Sequence, residues 1–320
     1  SVDPSFTTIT SLTNLFALTL PSTLAIVFSS LYAGIITVSF IFANCIMNIT
    51  FLSQWQTINT RGVETYVDEL SQRLKKQGHQ VAIHKNILDN VNSSAKIIIS
   101  TNGRLDVILA KFWCLIHNAK LIIPGQSGFG WDDKLNLWVF PDVFVGLTHF
   151  QCAWAKRINP WVKTVTISNG VDLDKFNPKI KPIKIKLRKP IVLNVGVVDS
   201  FKRQDLLLKA SPYPVLLVGK GGNMTFDHKN MPGVYTACDL FSYPTSPQES
   251  FGIAILEAMA SGLPVVATDD PIRREIVGEA GLFVDPTDTS AYSQALKKAL
   301  NTSWGDKPRR QAEKFSWDKI

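Results

Sequence analysis

From residue 47 onward the chain alternates short apolar segments with longer segments whose apolar residues recur at helical spacing. The segment 48–53 has the composition of a buried strand, and the apolar stripe over 63–74 has the 3.6-residue period of a helix ending at Gly78. Strands that alternate with helices pair in parallel, because each connection must cross one face of the sheet. The pattern therefore predicts the α/β fold class, with Rossmann-like sheets.

This alternation continues to the carboxyl end with one interruption. Between 179 and 189 there are six basic residues and no acidic residue, which predicts an exposed linker or hinge. We therefore expect an N-terminal Rossmann-like domain over 47–178 and a basic linker over 179–189. A C-terminal Rossmann-like domain follows over 190–300, and a tail over 301–320 starts a last helix. Two open parallel sheets joined in this way place their carboxyl ends around a shared cleft, where ligands bind.

The amino-terminal segment 1–46 is different, because no Asp, Glu, Lys, Arg or His occurs between Asp3 and Arg61. The apolar run over 24–46 is long enough to span a bilayer, for which about 20 residues suffice. We expect a hydrophobic, membrane-associated segment, with Met47 as a native start being the alternative. If the segment spans, the basic flank beginning at Arg61 places the main body in the cytoplasm.

The net charge of +8 favours an anionic partner such as a sugar nucleotide, a lipid phosphate or a membrane surface. The four cysteines are far apart and form no CxxC pair, and the histidines and acids show no metal-ligand spacing. A zinc site, a disulfide framework and a resident metal are therefore not expected. No aromatic-basic module supports nucleic-acid binding.

The stretch 247–266 carries the most chemical information. Ser250 is a good helix N-cap, Gly252 allows a ligand to approach the first turn, and Gly262 ends the helix. The N–H groups of Phe251, Gly252 and Ile253 then form an anion site, which the helix dipole strengthens.

Two carboxylates bracket this predicted anion site. Glu249 lies just before the helix and Glu257 lies eight residues later, about 12 Å along the axis at helical rise. This spacing allows one acid to face the hydroxyls of a sugar and the other to face a ribose, with a diphosphate between them. An acid pair at this spacing is weak evidence without the surrounding sequence.

With that surrounding sequence, the chain resembles the retaining glycosyltransferases of family 4, which have the GT-B fold and a Glu-x7-Glu motif. Glu249 and Glu257 match the two glutamates of the motif. Further stretches that resemble the family lie at 62–67, 78–81, 167–172, 194–196, 202–207, 262–267 and 278–284. The resemblance covers 47–320, and it implies a GT-B architecture of two Rossmann-like domains that face a cleft.

The resemblance also implies roles for the residues of this region. Glu249 would hold the transferred sugar, Glu257 the ribose, and the amides of 251–253 the diphosphate. Lys202, six residues after Gly196, would neutralise the charge that develops on the leaving diphosphate, so that no metal is needed. Val197 stands where the family has a second phosphate-binding cation, and Arg203 is the candidate substitute. Arg61 and Gly62 form a possible acceptor or phosphate loop.

The expected function is retaining transfer of a hexose from a UDP- or GDP-sugar to a lipid-linked or polysaccharide acceptor. The donor is a substrate, and no cofactor is implied. A catalytically degenerate, membrane-anchored scaffold that binds sugar nucleotides is the alternative from another class, motivated by Val197. A sugar-nucleotide epimerase is a weaker third hypothesis.

Overall fold

A computed structural model describes residues 46–56 and 62–320 of the protein. The predicted membrane-associated segment 1–46 lies, apart from Ile46, outside these residues, and so does Arg61. Within the two described stretches, no helix is both long enough and apolar enough to cross a bilayer.

The first domain is built on a six-stranded parallel sheet with the strand order β2-β1-β3-β4-β5-β6. Its strands are β1 Asn48–Leu52, β2 Gln80–His84, β3 Ile97–Ser100, β4 Lys120–Pro124, β5 Val143–Gly146 and β6 Thr164–Thr166. The strand β3 is buried at every residue, because both faces of the sheet are covered by helices. This confirms the α/β class predicted from the apolar runs.

Four helices cover the first sheet: α1 Gly62–Lys76, α2 Leu105–His117, α3 Trp131–Trp138 and α4 His149–Ile158. The helix α1 packs on one face, and α2, α3 and α4 pack on the other, where Val107, Leu137 and Ala155 share one core. The helix α1 contains the apolar stripe that the sequence predicted over 63–74, whereas no such pattern predicted α3 or α4. The start of α4 carried a signal, because the Thr148 hydroxyl accepts a hydrogen bond from the amide of Gln151 at 3.2 Å.

The second domain has a five-stranded parallel sheet in the order β11-β10-β9-β7-β8. Its strands are β7 Val192–Val195, β8 Val215–Val218, β9 Leu240–Tyr243, β10 Val265–Thr268 and β11 Gly281–Val284. Its helices are α5 Gln204–Ala210, α6 Met231–Thr236, α7 Ile253–Ala260, α8 Pro271–Val277, α9 Thr289–Asn301 and α10 Lys307–Ala312. The two sheets confirm the predicted pair of α/β domains.

The basic segment 179–189 lies on the second domain. Ile183, Ile185 and Leu187 pack against its core, while the intervening Lys184 and Lys186 are exposed. The amide of Ile183 donates to the carbonyl of a helix α6 residue at 3.0 Å. The segment is therefore an extended stretch of chain whose alternate apolar side chains hold it on the surface of the second domain.

The chain passes between the domains at two places that lie side by side. Ile167 belongs to the core of the first domain, and Val171 belongs to the core of the second. The chain returns after α10, where Phe315 packs on the second domain and Trp317 is 7% exposed in the first. The Val171 amide donates to the Phe315 carbonyl at 2.9 Å, which joins the two crossings. The predicted tail thus completes the core of the first domain.

Candidate functional site

The turn that leads into α7 faces the other domain across the cleft. The Ser250 hydroxyl donates to the carbonyl of Gln126, in the loop after β4, at 2.9 Å. A Cβ atom added at Gly128 in that loop would lie 2.4 Å from the carbonyl oxygen of Gln248. Loops at the carboxyl ends of β4 and β9 therefore meet here, which is where ligands of such sheets bind.

The start of α7 differs from the prediction. The helix begins at Ile253, its N-cap is Gly252 in the left-handed region at φ 94°, and no side chain caps it. Ser250 is therefore not the N-cap, because its hydroxyl is bonded to Gln126 of the first domain. Phe251, at 1% exposure, anchors the intervening turn in the core of the second domain.

The amides of this turn keep the predicted capacity to bind an anion. Among the described residues, no hydrogen-bond acceptor faces the N–H groups of Phe251, Gly252 or Ile253. A Cβ atom added at Gly252 would lie 2.8 Å from the Tyr243 ring, so only glycine fits this close approach at a positive φ. The free amides and the positive end of the α7 dipole thus point to the same place.

Lys202 and Glu249, the two predicted catalytic residues, are in contact. The Lys202 ammonium donates to a carboxylate oxygen of Glu249 and to the Tyr243 hydroxyl, the latter at 3.0 Å. Burial disfavours the charge on Lys202, but Tyr243 and Glu249 together outweigh it and raise the pKa of Lys202. The ammonium is therefore charged at neutral pH and lies beside the turn that precedes α7.

Gly196 lies next to this lysine. It ends β7 at φ 153°, and a Cβ atom added there would be 3.9 Å from the Lys202 side chain. Its amide donates to the carbonyl of Val218, while its own carbonyl lies against Gly219. The neighbouring Val197 is 40% exposed. The end of β7 thus brings backbone and an apolar side chain, but no second cation, to the site.

Arg203, the predicted substitute cation, has hydrogen-bond partners in the loop after β9. Its guanidinium donates to the carbonyls of Pro244, at 2.9 Å, and Thr245, and it lies 3.4 Å from the Thr268 hydroxyl. These bonds commit the side chain to the loop after β9. Arg203 therefore shapes the loop that carries Glu249, and its contact with the donor stays a prediction.

A second arginine that the sequence did not indicate holds the same loop. Arg273 is fully buried, and it pairs with Asp270 at 2.7 Å. It also donates to the backbone carbonyls of Glu249, at 2.8 Å, and Ser246, at 3.3 Å. Nothing in the local pattern marks this arginine as buried, although Asp270 followed by Pro271 is a signal for a helix start.

Glu257 has a specific partner. One of its carboxylate oxygens accepts from the Tyr235 hydroxyl at 2.6 Å. Burial raises the pKa of Glu257 to about 7, and Tyr235 and Lys175 oppose this shift. Lys175 also lies 3.0 Å from a ring nitrogen of His228. Beyond the anion site, Glu257 therefore lies among polar side chains that can form hydrogen bonds with hydroxyl groups.

The first domain contributes the start of α1 to the candidate site. Gly62 is its first residue, and a Cβ atom added there would lie 3.6 Å from the Ile253 side chain. The predicted loop of Gly62 thus meets the first turn of α7, while Arg61 lies outside the described residues. Over the part of the chain that the structure describes, no group of three His, Cys, Asp or Glu side chains could hold a metal ion.

A buried acid lies on the first-domain side. Asp133, on α3, is 1% exposed. Burial, with a smaller contribution from the neighbouring Asp132, raises the pKa of Asp133 to about 8. The carboxyl group is therefore largely neutral at pH 7.

Comparisons with known proteins agree with this geometry. Residues 222–316 match the family model described as glycosyl transferases group 1. The O-antigen chain mannosyltransferase B of Escherichia coli is 40% identical over 95 residues, which are 28% of this chain and 25% of that protein. The D-inositol 3-phosphate glycosyltransferase of Corynebacterium jeikeium (strain K411) is 41% identical over 199 residues, 46% of this chain and 47% of that protein. The chain thus spans less than half the length of these curated relatives.

Solved structures resemble both domains. A glycosyltransferase from Rickettsia africae ESF-5 has a TM-score of 0.69 and 18% identity, and the match covers 86% of this chain and 96% of that one. Anabaena Alr3699/HepE in complex with UDP and glucose has a TM-score of 0.64 and 17% identity, with coverage of 84% and 96%. The chain therefore has the two-domain GT-B fold of these glycosyltransferases, as predicted.

Proposed function

We propose that the protein is a retaining glycosyltransferase that moves a hexose from a nucleotide diphosphate sugar to a lipid-linked or polysaccharide acceptor. The observation that carries this proposal is the contact of Lys202 with Glu249, beside the free amides of 251–253 in the cleft. The match to glycosyl transferases group 1 covers Glu249 and the whole of α7, which supports the assignment.

In this proposal the donor diphosphate binds at the start of α7. The amides of the turn and the helix dipole face its oxygens, and Lys202 supplies a full positive charge. These groups are fixed before the reaction, so they stabilise the charge that appears on the leaving diphosphate without reorganisation. Lysine and amides take the part of a divalent cation, and the reaction is expected to need no metal.

In this proposal Glu249 holds hydroxyls of the transferred sugar, and Glu257 holds the ribose. The bond from the anomeric carbon to the diphosphate breaks as the acceptor oxygen attacks from the same side. The acceptor proton passes to the leaving diphosphate, and the configuration of the sugar is retained. Because HepE was crystallised with UDP, a UDP-sugar is the first donor to test, before a GDP-sugar. We place the reaction at the cytoplasmic side of a membrane, in keeping with the apolar segment 1–46.

The proposal is tested by donor binding and donor hydrolysis. A thermal-shift panel of UDP-, GDP- and ADP-sugars identifies the donor, since a ligand at 100 times its Kd stabilises the native state by about 2.7 kcal/mol. Lys202→Met and Glu249→Gln should each lower the hydrolysis rate by about 100-fold or more. Lys209→Met, at an exposed lysine of α5, is the matched control and should leave the rate unchanged. Wild-type rates in Lys202→Met would contradict the proposal.

A second candidate function is a degenerate sugar-nucleotide-binding protein. It is favoured by Val197, which stands at the end of β7 in place of a second cation, and by the hydrogen bonds of Arg203 to the loop after β9. Such a protein would give the thermal shift with a donor but no hydrolysis that depends on Lys202 and Glu249. The same two measurements therefore separate the candidates, and a product assay separates both from an epimerase.

A further inference from the structure

The outer surface of the first domain over 105–161, formed by α2, α3 and α4 with their adjoining loops, carries an unusual share of exposed apolar side chains. Eleven of the eighteen exposed large apolar residues in the described chain lie there. Ile116 is 78% exposed, Trp131 77% and Phe112 60%. We call this surface the apolar face. Exposed apolar patches of this kind mark interaction sites, because soluble monomers seldom expose large ones.

The apolar face is continuous. The helices α2, α3 and α4 lie on the same side of the first sheet, with their inward residues in one core. Arg104 donates to Asp132 at 2.9 Å, which ties the start of α2 to the start of α3. The rings of Trp138 and Phe140 are 6.1 Å apart and carry the face past the end of α3. Outward residues of neighbouring helices therefore form one surface.

The charges of this region favour an anionic partner. Between 104 and 163 there are seven Lys and Arg residues, four Asp residues and no Glu. Asp132 is paired with Arg104, and Asp142 with Lys111 and Lys120. Asp133 is buried, and the half-buried Asp106 accepts hydrogen bonds from the Ile87 amide and the Asn102 side chain. At the end of α4, by contrast, the basic residues 156, 157 and 163 are exposed. The accessible charge beside the apolar face is therefore positive.

Three tryptophans on the face point to the kind of partner. Trp131, Trp138 and Trp161 are 77%, 52% and 74% exposed. Tryptophan rings with nearby Lys and Arg fit the boundary between headgroups and acyl chains, where the ring is buried and the cation meets lipid phosphate. A protein interface would instead be expected to be depleted of lysine.

We propose that the apolar face docks onto the surface of an anionic lipid bilayer. This contact is separate from the segment 1–46, and it does not require that segment to insert. Leu105 and Trp131 begin the helices that follow β3 and β4, so the face reaches the edge of the sheet that borders the cleft. A lipid-linked acceptor would then reach the cleft from the bilayer, a consequence that rests on the proposed function.

The first test uses the full chain and vesicles of phosphatidylcholine with phosphatidylglycerol, part of the phosphatidylcholine being brominated to quench tryptophan. The wild-type fluorescence should be quenched, and the triple variant Trp131→Phe, Trp138→Phe and Trp161→Phe should lose most of this quenching. Trp304→Phe, in the second domain, should leave it unchanged. Equal quenching in the wild type and the triple variant would overturn the proposal, even if the segment 1–46 still binds the vesicles.

The second test measures the partition of the protein into the same vesicles. The double variant Phe112→Glu and Ile116→Glu changes two exposed residues of α2, so it should fold normally and lower partition about ten-fold or more. Leu208→Glu, 53% exposed on the second domain, is the control. Equal partition into vesicles without phosphatidylglycerol would overturn the anionic preference. A wild-type dimer that the double variant converts to a monomer would identify the face as an interface between copies instead.

Neither test contains a sugar donor or an acceptor. A failure of docking therefore leaves the proposed transfer untouched, and a failure to turn over any donor leaves the docking result standing.

Discussion

Substitution of Arg273 by methionine tests how the loop of Glu249 is held. Methionine replaces only the aliphatic part of the arginine, so it cannot make the ion pair with Asp270 or the bonds to the carbonyls of Glu249 and Ser246. The side chain is fully buried, so water cannot replace the lost guanidinium without a change in packing.

The expected cost follows from the buried pair. Removing one partner of such a pair costs about 3 to 5 kcal/mol, because the remaining charge is left uncompensated. Asp270 keeps the amides of Ile272 and Arg273, each at 3.0 Å, so the lower end applies, about 3 kcal/mol. At about 3 °C per kcal/mol for a protein of this size, the Tm should fall by about 9 °C.

The same substitution should slow catalysis well below the Tm. If Glu249 holds the transferred sugar in the transition state, a displacement of its backbone lowers kcat by about 10- to 100-fold, with a smaller change in the KM for the donor. Donor hydrolysis at 20 °C and differential scanning calorimetry measure the two effects. Arg273→Lys, which keeps a charge for Asp270 but not the planar fork, should recover part of the Tm and less of the kcat.

The adjacent arginine provides the control. Arg274 is exposed and pairs with Asp269 on the surface, so Arg274→Met should change neither the Tm nor kcat measurably. A wild-type Tm and kcat in Arg273→Met would refute the view that this guanidinium positions the loop.

Three further predictions concern other parts of the molecule. Gly128→Ala should push the domains apart and raise the radius of gyration in X-ray scattering, because the added Cβ would lie 2.4 Å from the Gln248 carbonyl oxygen. Gly130→Ala, whose Cβ would meet nothing within 4 Å, should leave the radius of gyration unchanged. Asp133→Asn should flatten the pH dependence of stability. In the wild type this carboxyl, with a folded pKa of about 8, binds more protons in the folded than in the unfolded state. The wild-type free energy of unfolding therefore falls by up to about 1.4 kcal/mol per pH unit as the pH rises from about 4 to 8. Urea unfolding at pH 5 and 8 measures this, and an equal slope in the variant would contradict it. Trp317→Ala should cost about 3 to 5 kcal/mol in the same assay, because the ring is buried in the first domain, and a loss below about 1 kcal/mol would show that the tail is dispensable.

Elements with a clear period could be predicted from the sequence. The strand Asn48–Leu52 and the helix Gly62–Lys76 lie within two residues of the predicted segments 48–53 and 63–74. Their apolar residues repeat within the element, so local sequence contains the information. The short helices α3, α6 and α8 were not predicted, because six to eight residues give too few turns for a stripe, and these helices are stabilised by packing.

The candidate site likewise has residues whose position could be predicted from the sequence and residues whose partners could not. The family resemblance assigned Lys202 and Glu249 to the same donor site, and the structure brings the two side chains into contact. The use of Ser250 could not be predicted, because its partner Gln126 is 124 residues away. Arg273 was missed for a similar reason, since it bonds to backbone carbonyls at least 24 residues distant. The carbonyl partner of Arg203 at Pro244 is likewise 41 residues away. Hydrogen bonds of this range depend on the assembled fold.

The paired crossings at Val171 and Phe315 have a mechanical consequence. Two adjacent backbones joined by hydrogen bonds resist torsion more than a single connection does, so relative motion of the domains is channelled into bending about this ribbon. Displacement then grows with distance from the ribbon, so residues beside Trp317 move least. Opening of the cleft to release a nucleotide would then require a change in one bending angle between the domains. Cleavage of the chain before Phe315 would leave a single connection, so the domains could also twist.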